Sequence, residues 1–175
     1  MATMDLERIA YHEAGHAVAH IRLNVLQNMA SIKPKDGNLG NVSAEGIEHV
    51  WKPEEARPQV LCYCAGYAAL VATGCSDEVA KQGADDDFEN ATELIDTWGL
   101  SGTLEEWQGQ AVELMSSPDN IRAVDSVDKA LMKYETLDAD YMDVLVDHAD
   151  GNVTKEEWDR YLLMAHPEML KQESE

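Results

Sequence analysis

The run His12-Glu13-Ala14-Gly15-His16 is the segment of this chain best equipped for chemistry. On a helix, residues four apart lie on one face, one turn above the other. Two imidazoles so placed can share one zinc ion, and a Glu beside them can reach a water bound to it. That is a hydrolytic arrangement: zinc activates the water and Glu13 accepts its proton. A catalytic zinc needs a third protein ligand and an open fourth position.

A third ligand is selected by helical geometry. Asp85, Asp86 and Asp87 open a helix expected over residues 84–98, where acidic residues favour the N-terminus. Phe88, Ala91, Leu94, Ile95 and Trp98 form its apolar face. At about 100° per residue, Asp87 falls within roughly 40° of the centre of that face, and its two neighbours lie about 120° or more away. An inward carboxylate needs a cation or hydrogen-bond donors. Asp87 is therefore the expected third ligand. His20 continues the four-residue spacing but lies about 12 Å along the helix from His12, too far to share its ion. It reads as a core or rim histidine.

The elements that must position these residues are mostly helices. Residues 4–27 read as one helix, apolar nearly all round, which is the mark of a central, buried element. Gly15 inside it points to close approach by another element or by substrate. Residues 29–45 read as a two-stranded ribbon turning at Asp36-Gly37, with Leu39, Gly40, Asn41, Val42 and Ser43 on the returning strand. Its edge is a place where an extended peptide could add as a strand. A second helix is expected to begin near Pro58 and stop at Gly74. Further helices are expected over 103–116, 118–134 and 138–148. A last one, over 155–165, follows the capping box Thr154-Lys155-Glu156-Glu157. The fold class is mainly α, a compact helical array with a small two-stranded β-ribbon. One domain is expected over 1–175: a zinc-site core to residue 102, a helical part over 103–148 and a helical tail.

Composition narrows the function. Net charge is −21, from 34 acidic and 13 basic residues, which argues against nucleic acid and anionic membrane as partners. Such a charge attracts basic peptides, and is also simply a solvated acidic surface. No apolar run is long enough for a membrane span, no secretory signal is visible, and three cysteines suit a reducing cytoplasm. A P-loop and a G-x-S-x-G elbow are both missing from the printed sequence. The segment 147–154 has an EF-hand outline but places Val146 and His148 where carboxylates belong, so a turn plus capping box explains it better.

Four segments together resemble one family. Ala10 to Val18, containing His12-Glu13-Ala14-Gly15-His16, closely resembles the zinc helix of the FtsH-type peptidases, the proteolytic domains of membrane-anchored AAA+ proteases. Ala65-Gly66-Tyr67-Ala68-Ala69 resembles that family's Gly-Arg-Ala-Ala segment. Gly83-Ala84-Asp85-Asp86-Asp87, with Ala91-Thr92 and Trp98-Gly99-Leu100-Ser101 following, resembles its Gly-Ala-x-x-Asp segment. Residues 130–138 are similar to its late helix and turn. The resemblance spans roughly residues 8–148 and implies that the third zinc ligand is Asp87. Leu70-Val71 replaces the family's usual acidic pair, and the stretch after Ser101 is shorter than the family pattern. The expectation is a cytoplasmic, FtsH-type zinc metalloendopeptidase without its own ATPase or anchor. It would cleave flexible or unfolded polypeptides independently of ATP, or receive them from a partner ATPase. The alternatives are a zinc-containing adaptor of the same fold that has lost catalysis, and a metal-stabilised structural protein.

Overall fold

A computed structural model describes residues 6–34, 40–43 and 52–167 of the 175. In chain order the elements are α1 (Leu6–Arg22), β1 (Met29–Ser31), β2 (Asn41–Ser43), α2 (Pro53–Ala72), α3 (Asp77–Ala80), α4 (Asp85–Trp98), α5 (Leu104–Met115), α6 (Pro118–Tyr134), β3 (Thr136–Asp138), α7 (Ala139–Ala149) and α8 (Lys155–Ala165). The protein is mainly α. None of the described helices is long and apolar enough to cross a membrane.

Helix α1 is the axis of the molecule. Ile9, Ala10, Ala14, Ala17, Val18 and Ala19 are all buried, against α2 on one side and α6 on the other. Its small residues let the backbones come close: a Cβ at Gly15 would lie 2.7 Å from the Ala65 carbonyl oxygen and 2.7 Å from the Ala69 Cβ. Another element, α2, thus accounts for the glycine. Helix α2 also packs on α4 and α5, so it braces the first half of the chain. Cys62, Cys64 and Cys75 are free thiols.

Several boundaries differ from the sequence reading. Helix α1 stops at Arg22, not 27, because Asn24 turns left-handed at φ 52° and the Val25 N–H returns to the His20 carbonyl. Helix α2 begins at Pro53, one and a half turns before Pro58, which lies inside it. Pro58 gives up one backbone hydrogen bond, but the added turn buries Ala56 completely. The short α3 was not foreseen; Ser76 caps it by accepting the Val79 N–H.

The ribbon is a three-stranded antiparallel sheet of order β2-β1-β3, not a two-stranded one. Ala30 sits between Val42 on one side and Leu137 on the other, and Ala30 and Leu137 have no exposed surface. Strand β3 is three residues long and more than a hundred residues from β1, so no local periodicity announces it. Among the described residues β2 has a neighbour on one edge only. The expected turn at Asp36-Gly37 lies outside the described residues.

Candidate metal centre

The first turns of α4 bring Asp87 against the middle of α1. The Asp87 Oδ2 lies 3.1 Å from the His12 Nε2 and 3.2 Å from the His16 Nε2, and the two imidazole nitrogens are 3.0 Å apart. Tetrahedral zinc with bonds of ~2.0–2.1 Å separates its ligand atoms by about 3.3 Å. The triangle therefore needs only a slight opening to hold one such ion. His12 and His16 are buried, and among the described residues these three are the group of histidine, cysteine and acidic side chains that could hold a metal.

The surroundings suit the donor set. The His16 Nδ1–H donates to the Cys62 carbonyl at 2.7 Å, so a metal that displaces the ring's other proton meets the lone pair of Nε2. A Cβ at Gly66 would lie 2.5 Å from the His16 Nε2 and 2.6 Å from the His12 Nε2, so glycine keeps open the space where the ligand atoms converge. Nothing in its local sequence gives Gly66 this role, which follows only once α2 lies across the histidine pair.

Electrostatics separate the groups. Burial lowers the His12 pKa despite its hydrogen bond to Asp87. Burial would lower that of His16 too, but Asp87 and Glu13 outweigh it and raise it to about 9. Burial opposes the charge on Asp87, yet His16 and His12 hold its carboxyl well below the usual range. The carboxylate is therefore ionised and available as an anionic ligand.

Glu13 is buried beside the pair. Burial lifts its pKa to about 7, with His16 pulling down and Asp87 adding to the rise. A Cβ at Gly40 would stand 2.5 Å from the Glu13 Oε1, so this backbone passes directly over the carboxylate. The centre opens into a cavity of about 330 Å³ lined by His12, Glu13, His16 and Asp87 together with Gly40, Asn41 and Val42. Of the other expected peptide-binding residues, Leu39 and the side chain of Ser43 lie outside what the structure describes. Asp85 and Asp86 face its mouth and take no part in the histidine cluster. His20 also lines the cavity, and its Nδ1 is held by the Val25 and Leu26 carbonyls.

Fold and site define a class: a helical protein with a two-histidine, one-carboxylate centre built on an H-E-x-x-H helix. The chain is similar to the ATP-dependent zinc metalloprotease FtsH of Oenococcus oeni, with 25% identity over 77% of this chain and 25% of that protein. It thus spans a quarter of the length of that relative. No family model matches the chain.

Proposed function

We propose that this protein is a zinc-dependent endopeptidase acting on flexible or unfolded polypeptides. The observation that supports this most is the convergence of the His12 Nε2, His16 Nε2 and Asp87 Oδ2 within 3.0–3.2 Å, with buried Glu13 alongside in one open cavity. Bound there, zinc supplies a Lewis acid that lowers the pKa of a coordinated water toward ~7 and polarises a substrate carbonyl. His12, His16 and Asp87 would hold it.

The protein's own groups do the rest. The Cys62 carbonyl fixes the His16 ring by accepting its Nδ1–H. Glu13, buried beside the ligand pair, would take a proton from the attacking water and return it to the leaving amine. The backbone that passes over Glu13 at Gly40 and continues into β2 would hold an extended peptide across the cavity by strand addition.

The test is metal content measured alongside hydrolysis of an unfolded protein. Wild type should carry one zinc per chain and cleave. Glu13→Gln should keep the zinc and lose about 10²–10⁴-fold in turnover. A zinc-loaded wild type that cleaves nothing would replace this reading with a non-catalytic, zinc-containing adaptor.

A further inference from the structure

Gly66 clears the space around the histidine nitrogens, and the next residue of α2, Tyr67, meets the helix that carries the third ligand. The Tyr67 ring, 7% exposed, packs edge-on against the Phe88 ring at 5.6 Å, and Phe88 directly follows Asp87 in α4. The Tyr67 hydroxyl donates to the Asp77 Oδ1 at 2.7 Å, on α3. The Lys81 ammonium pairs with the Asp77 Oδ2 at 2.9 Å and lies 6.0 Å from the centre of the Tyr67 ring. One side chain of α2 thus touches α3, the turn after it and the first turn of α4.

This contact falls where α4 lacks support of its own. Helices α3, α5, α6, α7 and α8 each open on a side-chain cap, from Ser76, Thr103, Ser117, Asp138 and Thr154. Helix α4 opens on Ala84, with no side-chain cap, so its first turn has no local device to fix it. Asp87 stands in that turn, and its placement decides whether three ligand atoms converge. We propose that Tyr67 is the positioning residue for the third metal ligand. Through Phe88 it holds the first turn of α4 so that Asp87 stands against His12 and His16 before an ion arrives. A site assembled in advance binds more tightly than one that must order itself on binding. The inference rests on the metal-centre part of the reading above and not on hydrolysis.

The test is zinc affinity of the full chain, read by competition with a chromogenic chelator, in a double-mutant cycle. Tyr67→Leu removes the ring contact and the hydroxyl and should weaken zinc binding about 10–100-fold, the range for losing a ligand's support. In an Asp87→Ala background, where the histidine pair remains, Tyr67→Leu should change zinc affinity by less than about twofold. Tyr67→Phe keeps the ring on Phe88 and should bind within about threefold of wild type, since it loses one hydrogen bond to an exposed carboxylate. Val146→Ala, in the core on α7, which packs mainly on α6, should lower the Tm and leave zinc affinity unchanged. If Tyr67→Leu does not fold, Phe88→Leu reads the same contact from α4 and carries the same expectations. Equal losses from Tyr67→Leu with and without Asp87 would show a general effect on the fold and overturn the proposal. So would wild-type affinity in Tyr67→Leu, or an equal loss in Val146→Ala. A wild type that binds no zinc would overturn the metal centre and this inference with it. Loss confined to chains that retain Asp87, together with no hydrolysis by the wild type, would uphold the positioning role and overturn the peptidase reading alone.

Discussion

Replacing Gly66 by alanine adds one methyl group and should abolish the metal centre. A helix-interior Gly→Ala change ordinarily stabilises by up to ~1 kcal/mol. Here the new Cβ meets the His16 Nε2 at 2.5 Å and the His12 Nε2 at 2.6 Å. That is about 0.9 Å inside ordinary contact, and both neighbours are on the adjoining helix. Relief requires the rings to turn or α2 to withdraw. Turning His16 breaks its 2.7 Å hydrogen bond to the Cys62 carbonyl inside the core. Overpacking of this kind costs ~1–3 kcal/mol, which leaves a net loss of up to roughly 2 kcal/mol. For a chain of this size that lowers the Tm of the metal-free protein by up to about 8 °C. Disturbing the partner of a ligand alone costs about 10–100-fold in metal affinity, and here the ligand atoms themselves are displaced. Zinc affinity should therefore fall at least about a hundredfold, read by competition with a chromogenic chelator. The control is Gly109→Ala in α5, whose Cβ meets nothing within 4 Å; it should bind zinc normally and gain up to ~1 kcal/mol. Wild-type zinc affinity in Gly66→Ala would refute the placement of the metal.

Other variants probe other parts of the structure. Asp87→Asn should strip zinc, measured by elemental analysis, while Asp86→Asn should not; equal losses would defeat the ligand assignment. Complete chelation should lower the wild-type Tm by several degrees and leave a folded protein, since a site held at a thousandfold over Kd contributes ~4 kcal/mol. Asp128 is half-buried with an unpartnered Oδ1, and burial, together with Asp125 and Glu7, raises its pKa from 3.8 to about 6. The folded form holds that proton more tightly, so stability should fall as pH rises across this window. Asp128→Asn should flatten that slope in urea titrations and gain about 1 kcal/mol at pH 7, allowing for solvent screening. Arg22 grips both carboxylate oxygens of Asp150, at 2.6 and 2.8 Å, and donates to Asn120 at 2.7 Å. Arg22→Ala leaves Asp150 unpaired at a half-buried position and should cost about 1–2 kcal/mol by chemical denaturation, allowing for solvent screening.

The sequence by itself determined most of the helices, though not all their ends, and the residues equipped for the chemistry. Burial all round α1, the start of α6 at Pro118 and the capping box ahead of α8 are local, repeating signals. Helical geometry alone directed Asp87, and neither of its acidic neighbours, toward the core. Tertiary structure decided what depends on which element meets which. Strand β3 exists because Leu137 pairs across from Ala30, a contact without periodicity. Pro58 lies inside α2, where packing of the helix on its neighbours overrides the local preference for a start at proline. Gly66 under the histidines and Gly40 over Glu13 are defined by close approach between distant segments, and spacing along a chain cannot express that. The His20 ring is oriented by the Val25 and Leu26 carbonyls, which come within reach because α1 ends early, at Arg22. Ligand types were thus written in local pattern, and the space in which they act was made by packing.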